Sequence, residues 1–145
     1  MKLILTVTLA TLALATPVLA AGDVAKGESE FKKCKACHMI VAADGTEIVK
    51  GGKTGPNLWN VVGRKPASVA DFKYGDGILA MAAKNPDMVW TDADLMTYVT
   101  DPSKFLEDKA GDPALKSKMT FKLPKGGEDI VAYLRSVSPD APAAQ

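Results

Sequence analysis

Cys34-Lys35-Ala36-Cys37-His38 is the stretch on which the reading of this chain turns. Two cysteines and the only histidine of the sequence stand at i, i+3 and i+4. On one helical turn those side chains share a face. Two thiols so placed can add to the two vinyl groups along one edge of a haem, and the imidazole that follows reaches the iron from below the ring. The spacing therefore points to one covalently attached haem c.

Other chemistries fit this stretch less well. A structural zinc site wants four Cys or His ligands, and the whole chain offers three. A carboxylate as the fourth is uncommon. A bare C-x-x-C in an oxidising compartment can be a disulfide or a thioredoxin-like redox pair. That fold needs a strand before the motif and a helix after it. Here the preceding segment reads as helix, and turn signals follow.

With His38 as the only histidine, bis-histidine ligation is excluded within the chain. Methionine is the next usual axial ligand, and it raises the reduction potential. The candidates are Met39, Met81, Met88, Met96 and Met119. Met39 follows the proximal ligand and cannot also cross to the opposite face. Met96 sits between Leu95 and Val99 on a predicted helix, which suggests core packing. Met81, Met88 and Met119 stay open on physical grounds. Met119 has the advantage of a loop, which can drape a thioether over the ring.

The surroundings are those of one ordinary globular domain. The 145 residues are 47% hydrophobic and 24% charged, which excludes collagen, coiled coil and general disorder. Lys plus Arg number 18 against 17 Asp plus Glu, so no bulk basicity suggests nucleic acid. Two cysteines are too few for a disulfide scaffold. Residues 1–20 carry Lys2, an apolar stretch from Leu3 to Ala15, Pro17 and a small-residue ending at Ala20, the pattern of a cleaved signal peptide. The apolar run falls short of the ~20 residues a membrane span needs. The expected organisation is a signal peptide at 1–20, one domain at 21–137 and a disordered Ser/Pro/Ala/Asp tail at 138–145.

The fold reads as all-α. Gly22-Asp23 can cap a first helix through Val24, Gly27 and Phe31. Turn signals crowd the region from Asp44 to Pro66, and such long loops need something to pack on. Ile78–Lys84 reads as a short helix. Thr91-Asp92-Ala93-Asp94 resembles a capping box before a helix that Asp101-Pro102 stops. A looser stretch is expected to about Lys125. Ile130, Tyr133, Leu134 and Val137 mark a final helix over Glu128–Val137. No strand is convincing.

The chain resembles the class I cytochromes c, and within them the larger bacterial c-two type that includes the respiratory cytochrome c of Paracoccus-like bacteria. The matching stretches are GDVAKGESEFKKCKACH at 22–38, KTGPNLWNVVGRK at 53–65 and FKYGDGI at 72–78. They continue with LMTYVTDPSKFL at 95–106, KSKMTF at 116–121 and EDIVAYL at 128–134. The resemblance implies the cytochrome c fold, with about 4–5 helices and long loops wrapped around the haem. It implies thioethers at Cys34 and Cys37 and axial ligation by His38 and Met119. The Pro56 carbonyl would accept the other imidazole N–H, fixing ring orientation. Arg64, Tyr74 and Trp90 would contact a haem propionate. Tyr98 would approach the Met119 sulfur, and Ser117 stands where the family often has Thr near the inner propionate. Gly27 and Phe31 would pack on Ile130 and Tyr133. Ile78 departs from the pattern, standing where mitochondrial relatives carry a polar residue. Asp44–Gly52 and Lys104–Lys116 are longer than in mitochondrial forms.

The implied function is a monomeric single-electron carrier of the bacterial periplasm, not an enzyme. Its expected donor is a cytochrome bc complex. Its acceptor would be a terminal oxidase, a photosynthetic reaction centre, a peroxidase or a denitrification enzyme. Lys32, Lys33, Lys35, Lys118 and Lys122 flank the two ligand segments and would steer acidic partners to an exposed edge near Cys34 and Phe121. Asp87, Asp92, Asp94, Asp101, Glu107 and Asp108 lie between those segments, so a dipole is expected beneath the small net charge. The alternative is a haem peroxidase or gas-binding sensor with an open or weakly held sixth site.

Overall fold

Asp23 starts the first helix, its side chain accepting the Lys26 N–H at 2.9 Å. The computed structural model describes residues 22–143, so the expected signal peptide lies outside the described residues. Helix α1 is Val24–Glu30, and it tightens into a 3-10 turn at Phe31–Lys33 that leads into the cysteines. Four more helices follow: α2 Asp76–Lys84, α3 Asp92–Thr100, α4 Pro102–Ala110 and α5 Gly127–Ser136. The all-α expectation holds, with one small addition. Strands β1 Ile40–Val41 and β2 Glu47–Val49 form an antiparallel hairpin around the Asp44-Gly45 turn.

The first and last helices cross closely. A Cβ on Gly27 would lie 1.9 Å from the Asp129 carbonyl oxygen, so only glycine lets α1 come this near α5. Phe31 then meets Tyr133 edge to face, with ring centroids 5.5 Å apart. Asp129 is buried at this crossing. It accepts the Asp23 N–H at 2.9 Å and pairs with Lys26 at 2.6 Å. Ile130 and Leu134 of α5, with Val137 at its C-cap, carry an apolar stripe into the core, each contributing about 1.5–3 kcal/mol by burial.

Helix α4 occupies part of the stretch that the sequence suggested was loose. Asp101 ends α3 and also caps α4, accepting the Lys104 N–H at 3.2 Å. Pro102 follows at the first turn, where its missing N–H costs nothing. Phe105 and Leu106 are buried. Phe105 completes an aromatic cluster, its ring 5.5 Å from Trp90 and 5.6 Å from Tyr98.

The carboxy-terminal segment also differs from expectation. Ser138 is buried, and its hydroxyl accepts the Val62 N–H at 3.2 Å. Asp140 pairs with Asn60, so residues 138–142 are hydrogen-bonded to the body where a disordered tail was expected. Hydrogen bonding holds this segment, which is why its polar composition gave no signal. Among the described residues, no helix is long and apolar enough to cross a membrane.

Candidate haem site

The turn after α1 is built as the spacing required. The Cys37 and His38 N–H groups both donate to the Cys34 carbonyl, at 3.1 and 3.0 Å. The loop at 52–56 then closes over this turn. Gly52 donates to the Lys35 carbonyl at 2.9 Å, and Gly55 to the Cys37 carbonyl at 2.7 Å. A Cβ on Gly55 would lie 2.3 Å from His38 Cε1, so the loop rests directly on the imidazole.

His38 Nδ1 lies 2.8 Å from the Pro56 carbonyl oxygen. A carbonyl only accepts, so Nδ1 carries the proton and Nε2 presents its lone pair. Burial lowers the imidazole's affinity for a second proton, the Pro56 bond opposes that, and the Arg64 charge adds to the lowering. The neutral ring is the metal-ligating form. Burial pushes the Cys34 thiol up to about 11, while Cys37 is exposed and the two are not joined. Helix α1 and its 3-10 turn, not a strand, precede the motif, and a hairpin rather than a helix follows it, so the structure speaks against the thioredoxin-like reading.

Arg64 is half-buried, with Nη1 donating to the Trp59 carbonyl at 2.8 Å and Nη2 to the Asn57 carbonyl at 3.0 Å. Its other three N–H groups remain for an anion. Among the described residues no carboxylate forms an ion pair with it. Trp90 is aligned with it through the backbone: Gly63 donates to the Trp90 carbonyl at 2.8 Å, and Trp90 donates to the Arg64 carbonyl at 2.9 Å. The Tyr74 hydroxyl accepts the Val69 N–H at 3.1 Å and keeps its own proton to donate. Tyr74 is near enough to Arg64 to act on its charge.

The third group lies on the loop after α4. The Tyr98 hydroxyl is 3.1 Å from Ser117 Oγ, and that oxygen accepts the Met119 N–H at 3.1 Å. The family pattern placed Tyr98 at the Met119 sulfur; here its hydrogen bond goes to Ser117. Burial raises the Tyr98 phenol. The other methionines sort by packing. Met81 is fully buried, and Met88 and Met96 pack against the core cluster, whereas Met119 belongs to neither set; Met39 also falls outside both but directly follows His38.

Asn57 was not foreseen. Its side chain accepts the Val41 and Trp59 N–H groups, both at 3.0 Å, and donates to the Val41 carbonyl at 2.7 Å. It joins the hairpin to the loop that carries Pro56. Its place in the stretch KTGPNLWNVVGRK, directly after the Gly55-Pro56 turn, was its trace in the sequence. The charge pattern also needs correction. Lys33 pairs with Glu30 and Lys122 with Asp101, while Asp92, Asp94, Glu107 and Asp108 each pair with a base. Lys32, Lys35 and Lys118 are exposed and unpaired among the described residues.

These groups suit a haem: two thiols and a neutral imidazole on one turn, and an arginine with donors for a propionate. Comparison with known proteins agrees. No protein-family model matches the chain. It is 65% identical over 144 residues to cytochrome c-550 of Paracoccus versutus, covering 99% of this chain and 94% of that one. It is 56% identical to cytochrome c2 of Rhodobacter capsulatus, covering 94% and 98%. The crystal structure of cytochrome c2 from Paracoccus denitrificans superposes with a TM-score of 0.82 at 63% identity, covering 83% of this chain and 99% of that one. The peroxidase or sensor alternative finds no support in these relatives. With this likeness along nearly its whole length, the chain belongs to the class I c-type cytochromes, electron carriers that hold one covalently attached haem.

Proposed function

We propose that Cys34 and Cys37 hold the haem through two thioethers, with His38 Nε2 and Met119 sulfur as its axial ligands. Bound there, the haem iron supplies one-electron exchange between ferrous and ferric states. The chain's own residues do the rest. Pro56 fixes the imidazole through Nδ1 and keeps it neutral. Arg64, Tyr74 and Trp90 offer donors to a propionate, which offsets the cost of holding that charge out of water. Tyr98 and Ser117 fix the segment bearing Met119. With His38 and Met119 both holding the iron, the chain would leave substrate no place to bind it, and the protein carries electrons without catalysing a reaction on substrate.

The carrier works between redox complexes. We assign it to the bacterial periplasm as a monomer, taking electrons from a cytochrome bc complex. It passes them to a terminal oxidase, a photosynthetic reaction centre, a peroxidase or a denitrification enzyme. The unpaired Lys32, Lys35 and Lys118 support encounters with acidic partners.

The single observation that carries the ligand reading is the His38–Pro56 bond, which aims a neutral Nε2 away from the loop on the turn that bears both thiols. The test is acid-acetone extraction of protein purified from the periplasm. The haem should stay with the chain, and should leave with the solvent when Cys34 and Cys37 are both changed to Ser. Colour lost to the solvent from the unaltered chain would refute covalent attachment.

A further inference from the structure

We infer that the carboxy-terminal segment 138–142 is a clasp that positions Arg64 and Trp90 in the haem site. The inference rests on the propionate role proposed above for Arg64.

The contacts run without a gap from the tail to that arginine. The Val137 carbonyl accepts the Asn60 N–H at 3.0 Å. Ser138 Oγ, which is buried, donates to the Leu134 carbonyl at 2.8 Å and accepts the Val62 N–H at 3.2 Å. Asn60 and Asp140 bond reciprocally. Asn60 Nδ2 donates to Asp140 Oδ2 at 2.6 Å, and the Asp140 N–H donates to Asn60 Oδ1 at 3.2 Å. Pro142 packs over Gly63, where a Cβ would come within 2.7 Å of Pro142 Cδ.

Asn60 has φ 57, a left-handed conformation that asparagine adopts more readily than most residues, and its surroundings engage both its N–H and its side chain there. Those surroundings are the tail. The far end of the tail is itself tied down, because Arg135 donates from Nη1 to the Pro142 carbonyl and from Nε to Asp92 Oδ2, each at 2.7 Å. Directly after this held stretch comes Arg64, and the paired backbone bonds of Gly63 and Arg64 with Trp90 carry the same position across to the indole. Releasing the tail frees residues 60–63 and with them the backbone of Arg64, which shifts the guanidinium against its supports at the Trp59 and Asn57 carbonyls.

A segment serving only stability would make the same contacts, so the test needs the reduction potential. The haem-loaded full-length protein is compared as Ser138→Ala/Asp140→Ala and as Asp140→Asn. Both lose the Asp140 charge, but Asn keeps an acceptor for Asn60 Nδ2. In the double variant, amide exchange at Asn60, Val62, Gly63 and Trp90 should speed up about tenfold or more, with the α1 amides unchanged. Its potential should fall below that of Asp140→Asn, because a retreating arginine charge no longer disfavours ferric iron. Asp140→Asn should keep the slow exchange.

Equal potentials in the two variants, or faster exchange spread evenly over all helices, would leave only a structural anchor and overturn the clasp. Arg64→Gln separates the two claims. If it leaves the potential unchanged, the Arg64 role fails and the clasp with it. If it lowers the potential while the double variant does not, the clasp alone fails.

Discussion

The Tyr98 hydroxyl lies 3.1 Å from Ser117 Oγ, joining α3 to the loop that carries Met119 across 19 positions of sequence. Ser117 also accepts the Met119 N–H, so one hydroxyl serves both. Ser117→Ala strips a partner from each, at a cost of about 1–3 kcal/mol. A sulfur ligand on ferric haem gives a weak near-red absorption band. In Ser117→Ala that band should disappear on heating at a temperature about 5 °C or more lower. Ser117→Thr should behave like the parent. A Ser117→Ala protein that melts unchanged would show that the hydroxyl does not hold the Met119 segment.

Met119→Ala should abolish the near-red band, admit carbon monoxide to the ferrous protein and lower the potential. Met81 is fully buried in the core. Met81→Ala should cost about 2–5 kcal/mol of stability while the band survives, and Met88→Ala should likewise keep the band. If the band persists in Met119→Ala and vanishes in either of the others, the ligand is misassigned.

The Lys26 bond, followed by the Asp23 N–H, holds the Asp129 carboxyl below its ordinary pKa. The ionised form therefore favours folding. Its contribution is present above the unfolded carboxyl's pKa of about 3.9. It is lost as pH falls through the lower folded value. Asp129→Asn should have a lower urea midpoint than the parent at pH 7, with the gap shrinking as pH falls below the unfolded carboxyl's pKa and closing once the folded carboxyl is protonated. A gap that stays constant with pH would mean that packing at the α1–α5 crossing, not charge, accounts for it.

Lys35→Glu and Lys118→Glu should slow association with an acidic redox partner more than Lys84→Glu, since Lys35 and Lys118 flank the cysteine and Met119 segments while Lys84 ends α2. Added salt should shrink the difference, because exposed charges are screened over about 8 Å at physiological ionic strength. Stopped-flow rates that are equal for all three variants and indifferent to salt would refute steering by these lysines.

Elements with caps and a clear apolar period were legible in the sequence. Asp23, Thr91 and the stripe through Ile130, Tyr133 and Leu134 gave α1, α3 and α5 within a residue or two. Helix α4 was hidden because Asp101-Pro102 was read only as a stop, when an Asp-Pro pair can end one helix and open the next. The hairpin strands of two and three residues are too short for a period to show. Within the site, the cysteine and histidine positions follow from spacing on one turn. The partners of Arg64, Tyr98 and Asn57 do not, because those contacts join loops whose separation in sequence carries no period.

The close crossing at Gly27 has a consequence for the order of assembly. Asp23 bonds to Asp129, 106 positions away, so α1 has nothing to dock on until almost the entire chain has been synthesised. Contacts of such separation form late, after the loop-closure entropy has been met. Cys34 and Cys37 lie immediately beyond α1 and are therefore least obstructed before the two ends join. Until the two ends join, the unfolded chain thus presents its thiols for covalent coupling, and a chain ending short of Asp129 would never bury Phe31 against Tyr133.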